Sequence, residues 1–340
     1  MAVQLQDAKR MAIATKLADM KALQNLVISN EEALMQAISD PEIRDRFEEM
    51  LEDDRKNLGI IETTIVQYGN QSNPHEKTQQ MIDKTRELMS GSELSLYEKI
   101  AEHELLKHAQ VMTGLIVHKS GQVVGADIEE ALTPLNTVNF ENRTHQEQLK
   151  GILEVIGTRE LTGQDPEQGV WGRVQDALAA LSGVFGAAAS RTKGDMNILE
   201  IIYEDHRKVE TLFKEIKKTD DPNKRQEFFG QLFKDLTAHA NAEEDVVYPA
   251  IREKLPKTQQ LYDEQAEMKQ LLEDIKSTSA TSPAYMEKIQ QLKRMVKEHV
   301  NEEESNMFAQ FRQVMNEDQL EALAKQFKDA KNRHQQAMVS

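Results

Sequence analysis

Two stretches of this chain pair a histidine with a glutamate at a spacing that suits metal chemistry. The first reads His239-Ala240-Asn241-Ala242-Glu243-Glu244-Asp245-Val246-Val247-Tyr248, the second His299-Val300-Asn301-Glu302-Glu303-Glu304-Ser305-Asn306-Met307-Phe308. In each, imidazole and carboxylate stand four residues apart, and on a helix such a pair projects from one face. Two such faces turned toward each other offer two imidazoles and two carboxylates, enough to begin a metal site inside a helical bundle.

The surrounding sequence predicts that bundle. Ile202, His206, Val209, Phe213 and Ile216 recur at helical spacing, as do Phe229, Leu232, Leu236, His239, Glu243 and Val246. Leu261, Gln265, Met268, Leu272 and Ile275 form a third set, and Tyr285, Ile289, Leu292, Val296, His299, Glu303 and Asn306 a fourth. Steps alternating between three and four describe the inner seams of an antiparallel four-helix bundle. Asp221-Pro222, Leu255-Pro256 and Thr281-Ser282-Pro283 supply short connections. The seams are apolar except at one layer, where they present His206, then His239 and Glu243, then Gln265, then His299 and Glu303. Two buried carboxylates in one layer repel unless protonated or bridged by cations. Imidazole and carboxylate suit iron, manganese or zinc, and five such donors suit two ions better than one. Glu244, Glu302 and Glu304 read as solvated or outer groups. A further helix over 317–335, with Leu320, Leu323 and Phe327, is expected to pack outside the bundle. The complete set of seams predicts that this segment folds by itself.

Composition narrows the function classes. The chain has 340 residues, 58 acidic against 42 basic and a net charge of −16, which argues against nucleic acid or an anionic membrane as partner. Without cysteine there is no disulfide, thiolate ligand or thiol nucleophile. No segment reads as a membrane span, and the N-terminus lacks a signal-peptide pattern, so a cytoplasmic location is expected. Only 15 Gly and 8 Pro predict an all-α protein. No nucleophile triad, phosphate loop or dinucleotide fingerprint is present, and no catalytic residue is assigned.

Asp205-His206, His239-x-x-x-Glu243-Glu244 ending in Tyr248-Pro249, and His299-x-x-x-Glu303 resemble the hemerythrin-type HHE cation-binding domain over residues 195–335. The resemblance implies an antiparallel bundle with two non-haem iron ions, oxo- or hydroxo-bridged, and His206, His239, Glu243, His299 and Glu303 as ligands. It implies binding or sensing of dioxygen or peroxide, iron storage, or stress protection. Alternatives are a di-iron oxidase or peroxidase and a metal-free interaction scaffold. The family often places a histidine on the third helix where this chain has Gln265, so one metal position is expected to be weaker.

Residues 1–119 are expected to form a four-helix bundle: helices over 4–38, from Asp40-Pro41 to Tyr68, on to Met89, and over 93–119. It resembles ferritin-like bundles, with Glu31, Asp54, Asn57, Glu104 and His108 as an eroded metal layer, and offers a face for a homo-oligomer or protein partner. Residues 120–190 are expected to add helices near 135–159 and 167–189, packed on that bundle, with a linker at Ser190 to Gly194.

Overall fold

The structure, a computed structural model, describes residues 8–166, 169–185, 196–255 and 257–338, and these are all-α, with no strand among them. In the N-terminal half the helices are α1 (Ala8–Ala37), α2 (Pro41–Tyr68), α3 (Glu76–Ser90), α4 (Leu96–Val124), α5 (Ala126–Leu132), α6 (Leu135–Thr162) and α7 (Val170–Phe185). Sequence signals mark several ends. Asp40 caps the amides of Glu42 and Ile43, with Pro41 in the first turn, and Ser95 and Glu98 close a capping box on α4. The expected linker, Ser190 to Gly194, lies outside the described residues.

The N-terminal bundle is walled by α1, α2, α4 and α6. The expected fourth wall, α3, buries only Ile82, Thr85 and Met89, whereas α6 buries a full face including Leu149, Ile152 and Val155. α4 runs past the expected end at 119 to Val124, and only Gly125 separates it from α5.

A polar layer fills the middle of this bundle. Lys107 pairs with Asp54, lies 3.4 Å from Glu31 Oε1 and 2.9 Å from His145 Nδ1. All four are buried, as is His103, whose Nε2 lies 3.1 Å from Glu31 Oε1. Asp54 and Glu31 therefore sit in the expected layer, with Asn57 beside Asp54, but Glu104 and His108 do not. They meet Gln146 nearer the surface. The reason is the rotation of α4, which buries Ile100, His103, Lys107, Val111 and Gly114. Leu105, Met112 and Ile116 point outward, while His103, Lys107 and Gln110 find buried partners.

Burial, and then the charge of Lys107, hold the His103 pKa down to about 3. An unfolded histidine titrates near 6.5. Between those values the unfolded chain binds a proton that the folded chain refuses, so this contribution is complete above about pH 6.5 and is lost as pH falls toward 3. Urea unfolding of His103→Gln between pH 7 and pH 5 should show a shallower acid dependence than wild type, by up to about 1.4 kcal/mol per pH unit. Parallel curves would refute it.

The C-terminal half begins with α8 (Ile198–Lys218) and α9 (Pro222–Ala242). A π-helical turn (Glu243–Val247) leads to α10 (Tyr248–Ile251), followed by α11 (Thr258–Ser277) and α12 (Pro283–Glu302). A second π-turn (Glu303–Met307) leads to α13 (Phe308–Val314), and α14 (Glu317–Ala337) closes the chain. α8, α9, α11 and α12 form the expected ring. α14 does not stand apart from it. It packs on α8, α9 and the first π-turn, burying Phe327 and Lys331.

The halves meet where α2 ends. Gly69 takes a left-handed φ of 81° and its amide bonds Ile65 O, and a Cβ here would fall 2.1 Å from Asp235 Oδ1. Only glycine both turns the chain and admits α9 so closely. Lys208 donates to the carbonyls of Gln67 and Tyr68 at 2.6 and 2.8 Å, and Gln335 donates to Val66 O at 2.7 Å.

Candidate metal centre

The two π-turns begin at Glu243 and at Glu303, the carboxylates of the repeated motif. Each inserts the equivalent of one residue. The Tyr248 amide bonds Glu243 O and the Phe308 amide bonds Glu303 O, five residues back. The seams accordingly shift. Val247 and Tyr248 are buried rather than Val246, and Met307 and Phe308 rather than Asn306. The shift carries the Tyr248 hydroxyl under the glutamates, where it donates to Glu303 Oε1 at 2.7 Å and lies 3.4 Å from Glu243 Oε2.

All five residues singled out from the sequence meet in one buried layer, and their donor atoms separate into two groups. In the first, His206 Nε2 lies 3.2 Å from Glu303 Oε2, and His239 Nε2 lies 3.2 Å from Glu243 Oε1. One ligand atom from each of these four residues falls within 4.8 Å of all the others. In the second, His299 Nε2 lies 3.2 Å from Glu303 Oε1 and 3.2 Å from the Tyr248 hydroxyl. Gln265 Nε2 donates there to Glu243 Oε2 at 2.7 Å and to Tyr248 at 2.6 Å. Each glutamate thus gives one oxygen to each group. The sequence reading passed over Tyr248. Its adjacency to Pro249 in the motif was the only signal, and its position depends on the π-turn.

Each imidazole is held from behind. His206 Nδ1 lies 2.8 Å from Glu304, His239 Nδ1 2.9 Å from Asp205, and His299 Nδ1 2.8 Å from Glu264. Lys331 clamps Asp205 at 2.6 Å, and the Phe327 ring stands edge-on to His239 at 5.7 Å. Carboxylates behind ligating imidazoles fix the ring and aim the other nitrogen inward. Glu304 is therefore placed to orient His206, and Glu264 on α11 is placed to orient His299. Glu244 pairs with Lys269.

The charges ask for a cation. Burial disfavours a charged ring, yet Glu243 and Asp205 raise the His239 pKa to about 10. Against the same penalty, Glu303 and Glu264 raise that of His299 to about 10. Glu303 is held well below the usual carboxylate range, its burial outweighed by His299 and His206. A metal ion held among these groups would supply the positive charge that these raised pKa values call for. His239 Nε2, Glu243 Oε1, Glu303 Oε2 and Gln265 Oε1 are buried without hydrogen-bond partners. Such orphaned groups are costly unless something binds them, and the first three belong to the first donor group. A cavity of about 30 Å³, with His206, His239, Glu243, Gln265 and His299 in its wall, adjoins them. That is room for a water or a diatomic molecule.

The hemerythrin HHE cation-binding domain matches residues 197–311. A DNA nickase of Nostoc sp. (strain PCC 7120 / SAG 25.82 / UTEX 2576) is 56% identical over 338 residues, covering 98% of this chain and 96% of that protein. The chain belongs to the same family as that protein, and its residues 197–311 are a hemerythrin HHE cation-binding domain. No solved structure matches it. The HHE domain makes this a metal-binding protein and accounts for the paired histidine–glutamate motifs on facing helices. No helix among the described residues is long and apolar enough to cross a membrane.

Gln265 gives a direct test of unequal positions. The second donor group has one imidazole where the first has two, and an amide is a poor iron ligand. Metal should therefore load in two steps, the weaker fraction being released readily to a mild chelator. Gln265→His, between Leu261 and Met268 on the same seam, should slow that release about tenfold, in keeping with the better donor. A single tight two-ion step, with release unchanged in the variant, would contradict the assignment.

Proposed function

We propose that the C-terminal bundle is built to hold two non-haem iron ions, that Glu243 and Glu303 would each offer one oxygen to either position, and that the centre responds to dioxygen, peroxide or iron status. The supporting observation is the division of both carboxylates between the two donor groups. His206 and His239 would complete one position, and His299, with Tyr248 and Gln265 beside it, the other. Imidazole and carboxylate without thiolate suit iron. Iron so held supplies redox exchange with dioxygen or peroxide and Lewis acidity toward oxygen ligands. Anaerobic ferrous titration should give about two ions per chain, and admitting air should produce near-ultraviolet charge-transfer absorption. Less than half an ion per chain would refute this reading and favour a metal-free scaffold. Steady consumption of dioxygen or peroxide would mark an oxidase or peroxidase instead.

A second reading, DNA nicking, is favoured by the end-to-end similarity to a protein named DNA nickase. Hydrolytic nicking consumes one water and breaks one P–O bond, and a bound metal can lower the barrier by polarising the phosphoryl oxygen. With a net charge of −16, DNA contact would have to be local. The iron-loaded chain should convert supercoiled plasmid to the open-circular form, and chelator or His239→Ala should abolish the conversion. Plasmid left supercoiled at every metal tested would sink this reading without touching the first.

A further inference from the structure

The ring of helices is not equally tight all round. α8 and α12 diverge to leave an open groove of about 350 Å³. Its floor is apolar, made by Val209, Phe213, Val296 and Val300, and its inner end is His206. Four of its residues, His206, Val209, Val296 and Val300, also line the cavity beside the metal ligands. The groove is thus the outer side of the wall around the first donor group.

The rim has a definite chemistry. Arg207, Lys293 and Lys297 bring three cations, and Tyr203 stands 42% exposed. The two carboxylates present are already engaged: Glu304 with His206, and Glu210 with Arg207 and Lys214. Among the described residues, the side chains of Lys293 and Lys297 make no hydrogen bond or close ion pair, although the Lys293 charge reaches Glu210. On a protein of net charge −16, this rim gathers three cations beside an exposed aromatic ring.

We infer that this groove binds single-stranded DNA, with Lys293 and Lys297 on successive phosphates and Tyr203 stacking on a base, and so brings the strand to the His206 side of the metal centre. The inference rests on the nicking reading for its choice of ligand. Cations that track a backbone beside an aromatic platform are the usual means of holding a single strand. A slot between two helices admits an unstacked nucleotide and excludes a duplex, so strand separation or fraying would precede binding.

The test uses the full chain, iron-loaded and kept anaerobic, with a fluorescent single-stranded oligonucleotide read by anisotropy across a salt series. Lys293→Glu/Lys297→Glu should weaken binding at least tenfold and lower the salt slope by about 1.4, the value for two phosphate contacts on a single strand. Tyr203→Ala should weaken binding roughly 5- to 100-fold, the range for one lost stacking contact. Lys325→Glu, on exposed α14 surface, should leave it near wild type. Lys297→Glu alone serves if the double variant fails to fold, since that side chain is exposed. Wild type that does not bind the oligonucleotide, a lysine variant that binds it unchanged, or a control that falls equally would overturn the inference. Plasmid nicking is scored separately. Nicking that survives loss of groove binding rejects the groove alone, whereas groove binding without nicking by any metal rejects the nicking reading alone.

Discussion

His239→Ala should strip the C-terminal bundle of tightly held metal. The side chain would take with it a ligand nitrogen, the partner of Asp205 and the ring against Phe327. Losing a group that merely orients a ligand costs roughly 10–100-fold in metal affinity, and losing the ligand should cost more. An ion present at about 1,000 times its Kd stabilises the native state by about 4 kcal/mol. For a chain of this size the loaded wild type should therefore melt roughly 5–10 °C above its metal-free form. In His239→Ala that gap should close, with metal per chain falling in step. Thermal melts with and without iron, beside metal analysis, decide the matter. A variant that keeps both its iron and its stabilisation would remove His239 from the ligand set.

Lys107→Met should weaken the protein by roughly 3–5 kcal/mol, the usual cost of removing one partner from a buried ion pair, and should do so whether or not iron is bound. Lys107 is the internal cation of the N-terminal layer, between Asp54, Glu31 and His145. Without it Asp54 becomes an uncompensated charge in a site with no access to water. Asp54→Asn added to the variant should restore much of the loss, because the remaining group is then neutral and still accepts from Gln24. Urea unfolding of the single and double variants measures the coupling. A loss under about 1 kcal/mol, or no recovery in the double variant, would contradict the picture. The two bundles meet the same difficulty differently: the N-terminal half carries its cation covalently, and the C-terminal half leaves the position for an ion.

Much of the metal centre was legible because its polar residues interrupt stripes that are otherwise apolar. His206, His239, Glu243, Gln265, His299 and Glu303 lie on seams whose neighbours have no other reason to share a layer with charge, and the structure buries all six. What failed was counting across Glu243 and Glu303. A strict helical period places Val246 and Asn306 inward, and nothing in residue type announces a π-turn. Pattern reading also failed on α4. The face expected to bring Glu104 and His108 into the layer leaves them near the surface, and His103, Lys107 and Gln110 take the buried partners instead. His145 and Lys331 gave no local signal. Each acts on a partner distant in sequence, and only the fold brings the pairs together.

The junction at the end of α2 changes what counts as the inherited unit. The domain match stops at residue 311, yet Phe327, and Lys331 through Asp205, steady His239 from beyond it. Lys208, two positions from His206, is buried and spends its donors on Asp235 and on carbonyls of the other half. Detached from α2, that ammonium would lose the helix end whose partial negative charge it neutralises. The HHE segment here is therefore not a cassette that recombination could move intact. Transplanted alone, it would carry its ligands but leave behind the clamp and the counter-surface. Selection on the metal centre consequently reaches the N-terminal bundle, and compensating substitutions should be sought in pairs across Gly69 and Asp235 rather than within either half.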